Sequence, residues 1–352
     1  MIQPYAYRIS SPHDADSFHN LLKDKPYIQV FDRIWQQLAE LIKINHPGEK
    51  FSESGLKEAV KDHLDGSDMR DYGVWVYYPW NEKMVHLLDE AEFSALRTNR
   101  NLYKITPEER AVLSTRKIGV IGLSVGQSVA LILAMERTFG ELRIADFDTL
   151  DLSNMNRIRT GVHNLGLPKT EIVAREIAEI DPFLKVTCFP EGITGDNIDD
   201  FLQGSGNLDM LIDECDSLPV KILCRRKARA LQIPVLMDTS DRGMIDIERF
   251  DEEPERPLFH GIIPEEEFDE KNLQNPDLRV HLSLQIAGAA TISERMKRSL
   301  PQIGKTISTW PQLASAVSLG GAAVAEISRK ILSGEKVPSG RYYIDVDEIV
   351  KR

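Results

Sequence analysis

The stretch Lys117-Ile118-Gly119-Val120-Ile121-Gly122-Leu123-Ser124-Val125-Gly126 decides the fold. A short apolar run ends at Gly122, and a helical pattern follows from Ser124 to Phe139. A strand that turns on glycine into a helix is the opening unit of a parallel α/β sheet. Glycine there permits a tight bend and brings backbone N–H groups toward phosphate at the positive end of a helix dipole. The run departs from GxGxxG, since Ser124 and Gln127 stand where glycines are expected. Taken alone it fits a ligand loop and ordinary strand-to-helix packing equally well.

The alternation continues outward from that turn. Leu142 to Asp146 reads as a strand, Lys169 to Ile180 as an amphipathic helix and Lys185 to Phe189 as a strand. Leu208 to Asp213, a basic-faced helix from Val220 to Leu231 and a strand from Ile233 to Asp238 complete the series. Continuous apolar strands separated by helices predict an α/β fold, a Rossmann-like and mostly parallel sheet with helices on both faces. Such sheets bind ligands beyond the carboxyl ends of their strands, which here carry Gly122, Asp146, Asp216 and Asp238. Further on, Asp251 to Pro257 is an acidic, proline-broken loop. Leu282 to Lys297 and Leu313 to Ile331 read as helices, and Arg341 to Val346 as a late strand.

Upstream the chain has another character. Ile34 to Ile44 repeats apolar residues at helical spacing and is stopped by Asn45-His46-Pro47-Gly48. Gly73 to Tyr78 is a β-branched and aromatic strand, and three of the four tryptophans fall in this first quarter. Residues 1–95 are expected to form a small N-terminal α+β extension with its own aromatic core, and residues 96–352 the main domain. Substrate selection is the alternative role for the extension.

Composition narrows the function. The chain has 352 residues and a formal net charge of -12, the reverse of the basic footprint of a nucleic-acid binder. Cys188, Cys215 and Cys224 form no CxxC pair, so no structural zinc is expected and a reducing compartment is. The first residues lack the apolar centre of a signal peptide, and the most apolar stretch, Leu313 to Ile327, is short for a membrane span. A cytoplasmic protein with no membrane partner is expected.

The residues just past the second strand carry the chemistry. Asp146 occupies the position from which an acid binds ribose in dinucleotide folds, a feature an NAD(P)-dependent oxidoreductase would share. Asp148, Asn154, Arg157 and Lys169 then follow within one short stretch. Dinucleotide chemistry has no need of that group, whereas a triphosphate takes Arg as a fork and Lys as a point charge. Asp216, beyond the fourth strand, is placed to hold the magnesium ion that bridges phosphate oxygens. Weaker candidates are Arg242 in Asp238 to Gly243, which could meet a carboxylate or a salt-bridge partner, and His260, read as structural. Cys215 is read as a small buried side chain.

Five segments in order resemble the ThiF/MoeB/HesA superfamily, the adenylyltransferases similar to ubiquitin-activating enzymes. They are Gly122-Leu123, Asp146-Phe147-Asp148, Ser153 to Arg157, Leu167-Pro168-Lys169 and Asp213 to Asp216. Leu96-Arg97-Thr98-Asn99-Arg100-Asn101 resembles the RYNRQ segment that precedes them. The resemblance implies ATP and Mg2+ as cofactors, with Gly122, Ser124, Gly126, Asp146, Asp148, Asn154, Arg157 and Lys169 around the nucleotide. It implies catalytic roles for Arg100, Arg157, Lys169 and Asp216, with Asp216 on magnesium. Arg100 would reach the neighbouring subunit of a homodimer. The substrate would be a carboxylate, either the C-terminus of a ubiquitin-like carrier protein or another acyl acceptor, made into an acyl-adenylate. No cysteine follows Cys224, so the downstream thioester cysteine of ubiquitin-activating members has no counterpart. The depleted glycine turn leaves a non-catalytic nucleotide-binding scaffold as the other reading.

Overall fold

The computed structural model describes residues 3–351. They form two units, one running up to Pro107 with Ala178–Phe183 added, the other comprising Glu108–Ile177 and the residues from Leu184 on. The first unit contains β1 (Tyr5–Tyr7), α1 (Pro12–Asp24), β2 (Gln29–Asp32), α2 (Ile34–Asn45), α3 (Glu53–Leu64), β3 (Val74–Tyr78), β4 (Lys83–Leu87) and α4 (Glu90–Arg97). Its sheet has the order β1-β3-β4-β2, antiparallel except where β2 runs parallel to β4. Period-two alternation sends Trp75 and Tyr77 to one face, with Phe18 and Met84, and Val74, Val76 and Tyr78 to the other. In α2, Ile34, Leu38, Leu41 and Ile42 form a helical stripe that packs with Val60 and Leu64 of α3. Ser52 caps α3 by accepting the Gly55 N–H at 3.1 Å.

The second unit opens with α5 (Pro107–Leu113) and β5 (Lys117–Ile121), then α6 (Gly126–Glu136), β6 (Glu141–Ala145), α7 (Lys169–Ile180), β7 (Lys185–Phe189), α8 (Ile198–Gln203), β8 (Met210–Asp213), α9 (Leu218–Ala230) and β9 (Val235–Asp238). It continues through β10 (Met244–Glu248), α10 (Glu270–Gln274), α11 (Pro276–Ile286), α12 (Glu294–Ser299), α13 (Ala314–Leu332), β11 (Gly340–Tyr343) and α14 (Val346–Val350). The seven-stranded sheet has the order β11-β10-β9-β8-β5-β6-β7. Its five strands from β7 to β9 are parallel, as expected for apolar runs joined by helices. From β5 the chain adds β6 and β7 on one side and β8 and β9 on the other, so the strand order reverses between β5 and β8. A crevice opens at the carboxyl ends of strands where such a reversal occurs.

Three features of the last third differ from the sequence reading. A helix over Leu282 to Lys297 is not formed: α11 stops at Ile286 and α12 begins only at Glu294. Gly288 at φ +83° ends the first, and Ser293 starts the second by accepting the Met296 N–H. The late strand is Gly340–Tyr343, because Asp345 turns the chain by capping α14. Between β9 and β11 lies β10, antiparallel to both, which the sequence reading did not include.

Candidate functional site

The glycine turn is shaped by what crowds it. Gly122 has φ +84°, and a Cβ there would stand 2.6 Å from the Glu214 carbonyl oxygen and 2.7 Å from Cys215 Cα. The turn after β5 therefore lies directly against the backbone after β8, at the reversal of strand order. A Cβ on Gly126 would stand 2.6 Å from Val120 Cγ1, so that glycine lets α6 start close over its own strand. Val125 precedes α6 and supplies no side-chain cap; the backbone closes the helix start instead, the Gly126 N–H donating to the Gly122 carbonyl at 3.1 Å and the Ser128 N–H to the Val125 carbonyl at 3.0 Å.

Gln127 stands where glycine was expected, and it is a clamp. It is buried, its Oε1 accepts the Arg159 N–H at 2.9 Å, and its Nε2 donates to the Arg159 carbonyl and to Glu176 Oε2, both at 2.9 Å. Leu150 and Ile158 pack with Ile172 of α7 in one small cluster. Together these contacts hold residues 150–159 over the carboxyl end of the sheet, and with them Asn154 and Arg157.

The polar groups meet there in pairs. Asp146 is buried, and its carboxylate accepts the Leu123 N–H at 2.6 Å and the Asp148 N–H at 2.8 Å. Burial pushes its pKa up, while those two N–H groups and Lys169 act against the rise. Lys169, also buried, donates Nζ to Asp148 Oδ2 at 2.8 Å. Arg157 donates Nε to Ser124 Oγ at 3.0 Å and Nη1 to Asn156 Oδ1 at 2.8 Å. Burial lowers the Arg157 pKa, and the charge of Asp216 lies near enough to oppose that. Asn154 spends its Oδ1 on the Asp151 N–H at 3.2 Å, leaving its amide N–H2 to serve a ligand. Asp216 itself is exposed. Arg100 is exposed in the turn Asn99–Asn101 of the first unit.

Beyond β8 and β9 the sequence reading missed a second acidic pair. Glu214 and Asp238 are both buried, and the Asp238 N–H donates to Glu214 Oε1 at 3.0 Å. Asp238 also accepts the Ser240 N–H at 2.8 Å and the Ser240 hydroxyl at 3.2 Å. Burial pushes Asp238 up to about 6, and burial with the neighbouring Asp238 charge pushes Glu214 well above the usual carboxylate range. A Cβ on Gly320 would sit 1.9 Å from Asp238 Oδ2, so α13 passes its backbone directly across this carboxylate. Asp213 is compensated instead: Lys221 Nζ lies 3.2 Å from its Oδ1, Arg225 pairs with its other oxygen, and its pKa falls to about 2. The available signal was the acidic density of Asp213-Glu214-Cys215-Asp216, but sequence alone does not separate its buried from its exposed members.

The weaker candidates have local partners. Arg242 pairs with Asp345 and donates to the Thr291 carbonyl at 2.8 Å, which is the salt-bridge alternative. The His260 ring accepts at Nδ1 from Arg256 Nε at 3.1 Å, and its Nε2 lies 3.0 Å from buried Asp246 Oδ1. Cys215 donates its thiol to Asp213 Oδ1 at 3.0 Å, and burial keeps that thiol protonated. The loop after β9 is tight, with Ser240, Arg242 and Gly243 all at positive φ and the Thr239 N–H bonded to the Met244 carbonyl. Among the described residues no group of three or more His, Cys, Asp or Glu side chains could hold a metal ion, and no helix is long and apolar enough to cross a membrane.

A model of the ThiF family matches residues 96–348. The uncharacterized protein MT1398 of Mycobacterium tuberculosis (strain CDC 1551 / Oshkosh) is 39% identical over 341 residues, which is 97% of this chain and 45% of that protein. The chain thus spans less than half the length of that relative. The tRNA threonylcarbamoyladenosine dehydratase of Escherichia coli (strain K12) is 33% identical over 132 residues, 37% of this chain and 48% of that enzyme. Among solved structures, E. coli MccB with MccA-N7isoASN covers 90% of this chain and 85% of its own, with a TM-score of 0.52 and 14% identity, a likeness of fold.

Proposed function

Since the chain belongs to the ThiF family, we propose that it is an ATP-dependent adenylyltransferase that activates a substrate carboxylate as an acyl-adenylate. The observation that carries this reading is the set of partly buried cations at the strand-order reversal. Arg157 is tied to the glycine turn through Ser124 and Lys169 to Asp148, and Asp146 joins the two by accepting the Leu123 N–H of that turn and the Asp148 N–H. Burial partly desolvates Arg157, and the charge of the exposed Asp216 acts against that cost. An anion there would recover the solvation that burial removes.

The residues fit a nucleoside triphosphate. Each Asp146 oxygen accepts one N–H and keeps a lone pair for a ribose hydroxyl. Arg157 would fork onto phosphate oxygens, Lys169 retains two further donors, and Asn154 offers its amide. One carboxylate, Asp216, would hold magnesium, which suits an ion held largely by phosphate and water. The metal would neutralise phosphate charge. Attack by a carboxylate oxygen at the α-phosphorus then forms an acyl–O–P bond and breaks the bond to pyrophosphate, a displacement that needs positioning and charge compensation more than a protein nucleophile. Protonated Cys215 matches that requirement. The acceptor would approach from the loop after β9, beside Asp238. Arg100 would complete the site of the neighbouring subunit in a homodimer.

The test is pyrophosphate exchange into ATP, screened against carrier-protein C-termini and small carboxylates. Carboxylate-dependent exchange is expected, with Asp216→Ala removing magnesium-dependent turnover at least about a hundredfold while the melting temperature holds. ATP binding without exchange for any acceptor would favour the scaffold reading. Stabilisation by NAD and not by ATP with magnesium would overturn adenylation.

A further inference from the structure

The small sheet of the first unit leaves β2 as an edge, and the one charged residue of the strand, Asp32, stands at its end. All four of its residues are exposed, including Val30 at 48% and Phe31 at 37%, with Tyr27 at 62% just before them. Protein edge strands usually discourage pairing with charge, proline, bulges or a covering element. In β2 the Gln29 N–H donates to the Glu82 carbonyl, and the parallel register pairs Gln29 with Lys83 and Phe31 with Val85. Backbone groups alternate in direction along a strand, so Gln29 and Phe31 bond toward β4 while the N–H and C=O of Val30 point outward. An outward N–H and C=O beside apolar side chains on both faces is the requirement of an added strand.

Charge selects the occupant. Lys83, exposed and in register with Gln29, stands at one end of β2, and exposed Arg33 follows its other end. Neither has a carboxylate partner within salt-bridge distance among the described residues, whereas Glu82 pairs with Lys25, and Asp32 is hydrogen-bonded to His86 and accepts the Ile34 N–H. Two copies of β2 paired antiparallel would bring Arg33 of each toward Lys83 of the other, a like-charge contact. We propose that β2 is a docking edge for an extended acidic peptide that joins the sheet as a fifth strand. Its carboxylates would lie about four residues apart, matching a span of roughly 13 Å at 3.3 Å per residue, and bracket an apolar residue over Phe31. This surface does not depend on adenylation and stands or falls separately from it.

The test uses the full chain and two capped, dye-labelled pentapeptides, Glu-Thr-Val-Thr-Glu and Lys-Thr-Val-Thr-Lys, read by fluorescence anisotropy. The acidic peptide is expected to bind at least about tenfold more tightly, and to slow amide exchange at Val30. Val30→Pro removes an outward N–H that no sheet bond uses, so it should cost that binding with little change in melting temperature. Arg33→Glu with Lys83→Glu should reverse the peptide preference while Val30 remains able to pair. Equal binding of the two peptides, or unchanged binding by Val30→Pro, overturns the proposal. Self-association that Val30→Pro abolishes would assign the edge to a second copy instead.

Discussion

At the residue scale the site contrasts satisfied and unsatisfied charge. Asp213 and Arg225 lie fully buried and neutralise each other, and Arg225 also donates to Glu248 at 2.7 Å. Asp238 has hydroxyl and amide partners but, among the described residues, no cation at salt-bridge distance, and its pKa rises to about 6. A carboxyl whose folded pKa exceeds its unfolded value holds its proton more tightly when folded. Its contribution to stability is therefore greatest at low pH and falls as pH rises from about 4, where unfolded aspartate titrates, to about 6. Asp238→Asn should remove that fall. The wild-type minus Asn difference in unfolding free energy is expected to drop by about 3 kcal/mol across this window, measured by urea titration at fixed pH values. A flat difference would show that Asp238 titrates as it does in water. Charge spacing made Arg157 and Lys169 legible in the sequence. The Glu214–Asp238 contact was not, because it joins neighbouring strand ends rather than neighbours in the chain.

At the scale of elements, the parallel strands could be read because burial on both faces demands continuous apolar runs. β10 escaped for the opposite reason. From Ile245 to Glu248 it alternates apolar with acidic, a pattern that predicts a solvated face, yet all five residues of the strand are buried. Asp246 meets Arg341 at 2.7 Å, and Glu248 meets Arg225, so both acids are held by cations from distant segments. The apolarity of α13 was legible, but its two successive glycines were not predicted to be contact points. A Cβ on Gly321 would stand 2.4 Å from Ser128 Oγ of α6, and one on Gly320 would overlap Asp238. Gly320→Ala is accordingly expected to destabilise by about 1–3 kcal/mol through overpacking, despite alanine's better helix propensity. A thermal melt that shows the variant equal to or above wild type would contradict so close an approach.

At the scale of the whole molecule, the family match covers residues 96–348, while the similarity to the mycobacterial relative extends over 97% of the chain. The first unit's helices and aromatic strand were visible as patterns. The exposure of β2 was not, since Gln29 to Asp32 is too short and mixed to reveal which of its backbone groups remain free. The proposed homodimer makes a prediction that depends on assembly. Arg100→Ala and Lys169→Ala should each inactivate the enzyme, and an equal mixture allowed to exchange subunits should recover about a quarter of wild-type pyrophosphate exchange. Half the dimers would be mixed, each with one intact site. No recovery after demonstrated subunit exchange would make Arg100 structural or place it within its own chain's site.

The tight hairpin after β9 also bears on how this scaffold can diversify. With Ser240, Arg242 and Gly243 in left-handed conformations, and a Cβ on Gly243 placed only 2.7 Å from the Ile344 carbonyl oxygen, the loop has little tolerance for added length. Insertions there would break the β9–β10 pairing that seats Asp238. Changes in the proposed acceptor preference are therefore more accessible through side-chain exchange at Thr239, Ser240 and Asp241 than through loop extension, so a saturation library at these three positions should retain folded members where an insertion library loses them.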